Sequence, residues 1–473
     1  MKVALIFTPN KLNPNFRDLA FRDDNIGFIP PLSLLSVAAI LEASGAEVLV
    51  LDMEAQRLTL DAAVERLKAF SPDLLGFTLS TYSFRPILEW IRLFKQATGL
   101  PVIVGGAHAA LYPAQTMTHP EIDYLIVGEA EIPLPQFIDA LRHGRSLDGI
   151  KSLAFRRNGQ VVLDATRQYV GDIDEIPWAA RHLIDNTLYS NIMTRKRNFT
   201  AMLSTRGCPY RCAFCDQKTP KYRTRGPRSF VDEVVFNYRR HGIREFDVYD
   251  STFTANRKRV MEICDLLARE KLDISWTVRS RVDSVTREML EALKRAGCHT
   301  LMYGIESSDR EILKAMNKDI SPERVREMVS YSHKLGFNVL GFFLFGFPGE
   351  TARTIEDTID FSLTLALDYA QFTVLVPFPD TQVYDYYRQH GLEDYWADYT
   401  VDPTRERKIE LIGTEVTRDQ ASEYLGKAYR RFYFRPRVII RRAIKMRSLG
   451  ELKRMAGGAM GILKNAFASK DAP

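Results

Sequence analysis

Short apolar segments alternate with amphipathic segments along the first 145 residues, and this alternation constrains the fold more than any other feature of the chain. The apolar segments predict buried strands at residues 2–7, 47–52, 74–79, 102–105 and 124–128. The amphipathic segments predict helices at residues 32–43, 60–70, 85–98 and 132–142. Strands and helices in this order form a doubly wound, Rossmann-like parallel sheet. Such sheets bind ligands beyond the carboxyl ends of their strands.

A second alternation follows after a connecting segment. Residues 146–194 read as a linker with a hairpin, because Asn158-Gly159 favours a two-residue turn. Within residues 195–400 we expect six strands, at 200–203, 246–249, 274–278, 300–304, 339–345 and 370–375. Six βα units fit a partial (β/α)6 barrel with its chemistry at the carboxyl ends of the strands. The predicted fold class is therefore α/β, with two such domains and a mainly helical extension over residues 401–473.

Three cysteines lie close together directly after the first strand of the second domain. Cys208, Cys212 and Cys215 have the spacing C-x3-C-x2-C. Three thiolates on one short loop can hold three irons of a 4Fe–4S cluster, which leaves the fourth iron open to another ligand. The alternative is a zinc site, but zinc usually takes four ligands and this loop offers no nearby His. With five cysteines in all and no disulfide-like pattern, we expect a reducing compartment.

The cysteine loop, with Phe214 before its last cysteine, resembles the cluster loop of radical S-adenosylmethionine (SAM) enzymes. The resemblance covers about residues 195–400. It implies that SAM chelates the open iron through its amine and carboxylate. It also implies SAM contacts from Phe214 and from Gly304, Glu306 and Ser307, and it leaves Arg279 either on the SAM carboxylate or paired with a neighbouring acid. Asp250 fits a family segment whose second acid is replaced here by Ser251.

The glycine-containing strand ends of the first domain resemble the cobalamin-binding domain of class B radical SAM enzymes. The residues that carry this resemblance are Gly105, Gly106, His108, Gly128 and Glu129. It implies that they contact cobalamin, and that Ser80, Thr81 and Tyr82 face the cobalt or the corrin amides. No His in the chain follows an Asp by two positions, so the Asp-x-His-x-x-Gly motif is absent and we expect no His–cobalt bond. His108 is then a residue that binds the nucleotide tail or packs in the core.

The basic character of the chain belongs to its C-terminal end. Residues 421–473 contain 13 Lys or Arg and 3 Asp or Glu, whereas the whole chain has a net charge of only +6. Apolar and basic residues interleave over 429–467, which is typical of helices on anionic membranes. A helix that caps the barrel or contacts RNA is the alternative. The N-terminal apolar run is too short for a signal peptide and no apolar run reaches membrane-spanning length, so we expect a cytoplasmic protein with peripheral contact to the inner membrane face.

These features together predict a cobalamin-dependent radical SAM enzyme. The resemblance implies cleavage of SAM to a 5′-deoxyadenosyl radical and methylation of an unactivated carbon through methylcobalamin. Cyclisation, ring contraction or oxidation with the same cofactors remains open. Modification of a nucleic acid also remains open, but the slightly negative net charge of residues 1–420 disfavours it. We expect a small-molecule or lipid-like substrate and a reductant such as flavodoxin or ferredoxin. No catalytic side chain is assigned; Tyr82, Asp250 and Tyr303 are candidates for lining the cavity.

Overall fold

The computed structural model describes residues 1–9, 27–217, 221–405 and 408–436, which form two compact units. The first unit contains the described parts of residues 1–14, 30–188 and 392–407. The second contains those of 15–29, 189–391 and 408–473. No helix in the described part of the chain is long and apolar enough to cross a bilayer.

The first unit is built on a sheet of seven strands in the order β2-β1-β3-β4-β5-β6-β7. The strands are β1 (Lys2–Phe7), β2 (Glu47–Asp52), β3 (Leu74–Thr78), β4 (Val102–Gly105), β5 (Tyr124–Ile126), β6 (Leu153–Arg157) and β7 (Gln160–Leu163). The first five are parallel, and β1 is almost wholly buried, as expected for a strand covered on both faces. Helices cover this sheet: α1 (Leu32–Ala43), α2 (Leu60–Phe70), α3 (Phe84–Thr98), α4 (Ala107–Leu111), α5 (Pro113–Thr116) and α6 (Pro133–Arg142).

The predicted linker hairpin is part of this sheet. Strand β6 pairs antiparallel with β5, and β7 pairs antiparallel with β6. The hairpin has the expected turn, with Asn158 and Gly159 both at positive φ. The first unit therefore extends well beyond the expected boundary at residue 145.

The second unit contains a parallel sheet of six strands in the order β15-β14-β13-β12-β11-β8, the curled half-barrel that the sequence predicts. Its strands are β8 (Phe199–Met202), β11 (Glu245–Val248), β12 (Ser275–Arg281), β13 (Cys298–Glu306), β14 (Asn338–Phe345) and β15 (Tyr369–Val374), and a separate short pair is β9 (Thr205–Arg206) with β10 (Arg223–Thr224). The helices between them are α7 (Pro227–Arg240), α8 (Arg257–Glu270), α9 (Arg287–Arg295), α10 (Arg310–Ala315), α11 (Pro322–Lys334) and α12 (Ala352–Thr364), and α13 (Gln382–Gln389) follows β15.

The chain then returns to the first unit through α14 (Tyr395–Val401), although the sequence placed residues up to 400 in the second domain. Tyr395, Trp396 and Tyr399 of this helix are buried. Asp394, just before the helix, accepts a hydrogen bond from the Tyr112 hydroxyl at 3.2 Å. The first unit is therefore completed by a segment about 200 residues further along the chain.

The last described helix, α15 (Arg418–Tyr433), packs on the edge of the half-barrel. Thr417 and Gln420 form a capping box at its start. The Tyr429 hydroxyl binds the backbone of Phe372 in β15, and Phe432 is buried beside it. The beginning of the predicted membrane-facing segment is thus a helix that covers the barrel, and its remainder from residue 437 lies outside the described residues.

Candidate active site and cofactor-binding loops

The cysteine loop leaves the carboxyl end of β8 and is closed at its base by the β9–β10 pair. Its middle is fixed by backbone hydrogen bonds, from Ala213 N to Met316 O at 2.9 Å and from Val383 N to Ala213 O at 3.0 Å. Gly207, just before the first cysteine, has φ 75°, a conformation that favours glycine. These contacts hold the loop at the end of the half-barrel where catalytic loops lie.

The three cysteines have the chemistry that an iron–sulfur cluster requires. Cys208, Cys212 and Cys215 are free thiols and are partly exposed. Burial raises the pKa of the Cys215 thiol to about 12 and also raises that of Cys212, so both need a metal or a cation to become thiolates. No three His, Cys, Asp or Glu side chains in the described ranges are arranged around one metal ion. A cubane cluster makes a different demand, because each thiolate binds its own iron. The loop therefore fits a 4Fe–4S cluster.

Asp250, at the end of β11, anchors the start of this loop. Its fully buried carboxylate accepts hydrogen bonds from Ser204 N at 2.6 Å, from Thr205 N at 3.0 Å and from the Ser204 hydroxyl. Burial raises the pKa of Asp250, against the effect of these donors. The sequence offered Asp250 as a cavity residue, whereas the structure shows it holding the loop backbone.

The predicted SAM residues after β13 lie around a buried ion pair. Glu306 accepts a hydrogen bond from Lys318 Nζ at 2.6 Å, and both side chains are buried. A Cβ atom on Gly304 would lie 2.5 Å from Lys318 Nζ, so a side chain at this position would displace the lysine ammonium group. Ser307 is buried against the Thr358 hydroxyl at 3.2 Å. Lys318 was not predicted from the sequence, because no motif marks it.

Phe214 and Arg279 have partners of their own within the unit. Lys318 Nζ lies 5.9 Å from the centre of the Phe214 ring. Arg279 binds Asp247 at 2.7 Å and lies over the Tyr249 ring at 3.7 Å. Of the two roles that the sequence left open for Arg279, the structure shows the pairing with a neighbouring acid.

Arg281, which was also not predicted from the sequence, lies beside the cluster loop. Arg281 Nη1 donates a hydrogen bond to the Sγ atom of Cys212 at 3.3 Å. A signal was present, because Arg279 and Arg281 are two residues apart on one strand and so share a face. Tyr303, another predicted cavity residue, is instead fully buried, with its hydroxyl 3.0 Å from Ser332.

In the first unit, the loops after β3, β4 and β5 meet at one edge, because these neighbouring strands are parallel. Gly106, at φ 101°, packs against β3, where a Cβ atom would lie 2.6 Å from Leu79 O. Gly105 differs, since a Cβ atom there would meet nothing closer than 3.9 Å. A glycine that the packing of the chain does not require leaves an open face, which fits close approach by a flat ligand such as a corrin.

The other predicted cobalamin residues lie at the same edge. Ser80 is half-buried, Thr81 is buried, and Tyr82 is 39% exposed. Gly128, at φ 91°, and Glu129 follow β5 and are both partly exposed. The structure thus brings together the residues of all three loops.

His108 lies in the interior rather than at this open edge. Its Nδ1 atom is 3.2 Å from Thr81 Oγ1, and its Nε2 atom is 2.9 Å from the hydroxyl of Thr400, near the end of α14. Burial lowers the pKa of His108 to about 3, so the ring is neutral. With both ring nitrogens engaged, His108 acts as a core residue that joins α4 to α14.

Comparisons with known proteins agree with both halves of this description. Residues 202–362 match the radical SAM superfamily, and residues 26–138 match the B12 binding domain. An uncharacterised methyltransferase of Pyrococcus horikoshii is 34% identical over 420 residues, which cover 87% of this chain and 89% of that protein. An anaerobic magnesium-protoporphyrin IX monomethyl ester cyclase of Synechocystis is 30% identical over 312 residues, covering 64% of this chain and 61% of the cyclase.

The fold also matches a solved structure over nearly its whole length. This is the radical SAM methyltransferase TsrM from Kitasatospora setae with cobalamin and a 4Fe–4S cluster bound, at a TM-score of 0.73, 19% identity and 99% coverage of both chains. The chain belongs to the radical SAM superfamily, in the group that carries an N-terminal B12 binding domain. It is a methyltransferase-like radical SAM enzyme that uses a 4Fe–4S cluster, SAM and cobalamin. The predicted class and cofactors are confirmed.

Proposed function

We propose that this enzyme transfers a methyl group from SAM, by way of cobalamin, to an unactivated carbon of a small-molecule substrate. The observation that carries the proposal is the pairing, in one chain, of a three-thiol loop with a cobalamin-type sheet edge that has an open glycine face. A relative that aligns over 87% of the chain is itself named a methyltransferase.

Each unit contributes its own residues to this chemistry. When bound, the cluster supplies the electron that cleaves SAM, and cobalamin carries the methyl group. Cys208, Cys212 and Cys215 bind three irons, while Asp250 keeps the loop in place through its three hydrogen bonds. Gly105 leaves room for the corrin, and His108 stays neutral and engaged, so it does not bind the cobalt.

The test needs no knowledge of the substrate. The cluster-reconstituted enzyme is incubated anaerobically with SAM and titanium(III) citrate, with and without hydroxocobalamin, and the SAM products are separated. S-adenosylhomocysteine that forms only with cobalamin supports methyl transfer to cobalt. If 5′-deoxyadenosine forms but S-adenosylhomocysteine does not, the methyl-transfer proposal fails and the cyclisation or oxidation alternative replaces it.

Substrate candidates are then screened with SAM that carries carbon-13 in its methyl group. Label in the product supports carbon methylation, whereas a ring-closed or oxidised product without label contradicts it. The screen includes lipid-like compounds beside polar ones, because the basic residues near the C-terminus favour an anionic surface.

We further propose a low-potential reductant such as flavodoxin or ferredoxin, and the cytoplasm as the working compartment. Free thiols on the cluster loop support a reducing environment. The membrane contact proposed for residues 429–467 does not use Tyr429 or Phe432, because both side chains are buried against β15. Sedimentation of the purified protein with anionic vesicles, before and after removal of residues 437–473, tests this contact.

A further inference from the structure

The contact between Arg281 and Cys212 joins a buried cation to a ligand of the cluster. Arg281 is the last residue of β12, and its Nη1 atom donates to Cys212 Sγ at 3.3 Å. We propose that Arg281 sets the reduction potential of the cluster. The inference rests on the cluster assigned above and adds a positioning residue that the cysteine motif does not contain.

The Arg281 guanidinium is fixed on several sides, so its N–H group stays directed at the sulfur. Its Nε and Nη2 atoms bind the two oxygens of Asp283, at 3.0 and 2.7 Å. The Tyr210 ring lies 4.1 Å from the guanidinium carbon, and the side chain is only 9% exposed. A planar guanidinium that is held by a bidentate carboxylate and a ring cannot be replaced by lysine without loss of geometry.

The physical effect follows from the charge that reduction adds. Uptake of one electron from the external reductant makes the iron–sulfur–thiolate group more negative by one charge. Hydrogen bonds and positive charge at a ligand sulfur stabilise the more negative state, which raises the reduction potential. Asp283 offsets part of the charge of Arg281, but it occupies the Nε–Nη2 edge and leaves Nη1 for Cys212.

The other charged side chains that act on Cys212 do not repeat this contact. Lys318 and Glu306 face the same thiol but are paired with each other at 2.6 Å, so their charges largely cancel. Arg279 is a natural control, since it lies two residues earlier on β12 and has the same arrangement of one acid and one ring. Its guanidinium, however, binds Asp247 and the Val248 carbonyl instead of a sulfur.

The test is a redox titration of the cluster in the full-length reconstituted protein, followed by the EPR signal of the reduced cluster without SAM or cobalamin. For Arg281→Gln we expect electron uptake to become about tenfold less favourable, a shift of about 59 mV to more negative potential. Arg281→Lys should shift less, because it keeps the charge but loses the fork. Arg279→Gln should keep the wild-type potential. Iron and sulfide content verify that each variant carries an intact cluster.

A further variant keeps the proposal testable if Arg281→Gln does not assemble a cluster. Asp283→Asn keeps Arg281 but removes the negative charge that offsets it, so we expect a shift to more positive potential. Wild-type potentials in both Arg281 variants would overturn the proposal, as would an equal shift in Arg279→Gln. If Arg281→Gln loses its cluster, unchanged potentials in Arg281→Lys and Asp283→Asn overturn it. Because the titration contains no substrate, failure of the methyl-transfer assay would leave a measured shift standing.

Discussion

The two sheet edges that we propose as the cofactor sites of this enzyme are built in opposite ways. In the second unit the edge is lined by reactive or charged side chains that are tied to one another, such as Cys212 with Arg281 and Glu306 with Lys318. In the first unit the edge is defined by the lack of side chains at Gly105, while the titratable His108 is enclosed in the core. One edge acts by the groups that it presents, and the other by the space that it leaves.

The largest expected effect concerns the edge of the second unit, which is lined by side chains. Cys212→Ala should prevent assembly of the cluster and lower 5′-deoxyadenosine formation at least about 100-fold, since loss of even an outer partner of a metal ligand costs 10- to 100-fold. Iron content and anaerobic product analysis measure both. Cys264→Ala is the control, because Cys264 is buried in the core of the second unit and should leave iron binding unchanged. Normal iron content in Cys212→Ala would refute the assignment.

The next prediction concerns the edge of the first unit, where Gly105 has no side chain. Gly105→Ala should fold normally, because the nearest atom would be 3.9 Å from the new Cβ, yet its affinity for hydroxocobalamin should fall about tenfold. Equilibrium dialysis measures the affinity, and a thermal melt verifies folding. The control is Gly171→Ala, whose new Cβ would meet nothing within 4 Å and which should bind as tightly as the wild type. If Gly105→Ala keeps wild-type affinity, the corrin does not lie against this face.

The smallest expected effect is a difference in pH response between the units. Burial raises the pKa of Glu350, in the second unit, from 4.5 to about 8. Above pH 4.5 the unfolded chain then loses a proton that the folded unit keeps, so the stability of this unit should fall as the pH rises to 8. Burial lowers the pKa of His108 from 6.5 to about 3, so the stability of the first unit should instead fall as the pH drops below 6.5.

Each group contributes at most about 1.4 kcal/mol per pH unit. Hydrogen exchange read by mass spectrometry separates the two units, and measurement at about pH 5 and about pH 7.5 gives the two slopes. Glu350→Gln should flatten the response of the second unit alone, and His108→Gln that of the first alone. Slopes of the same sign in both units would contradict the assignment.

The sequence predicts the parallel strands well, and β1 and β2 have the expected bounds. Buried parallel strands read as continuous apolar runs, so their signal is local. The pairing of the 153–163 hairpin with β5 is not local, and neither is the return of α14 to the first unit. The residues of α14 do not indicate which of the two units this helix will join.

The candidate site likewise contains some residues that have a local sequence signal and others that do not. A three-cysteine spacing is a local signal, so the three cysteines could be proposed as cluster ligands from the sequence. Arg281 and Lys318 act through contacts with residues 69 and 12 positions away, respectively, which spacing alone does not reveal. Gly105 and Gly106 look alike in the sequence, and only the structure shows that one is required by packing and the other leaves an open face.

The late arrival of α14 has a consequence for how the enzyme is made. A ribosome that has finished residue 188 must add about 200 residues before Thr400 emerges, which takes about 10 to 40 s at ordinary rates of synthesis. During that interval His108 and His119 lack the partners that they have in the finished fold, where Thr400 binds His108 through its hydroxyl and His119 through its carbonyl at 2.6 Å. Capture of cobalamin by the nascent chain is therefore expected to wait for nearly the whole polypeptide.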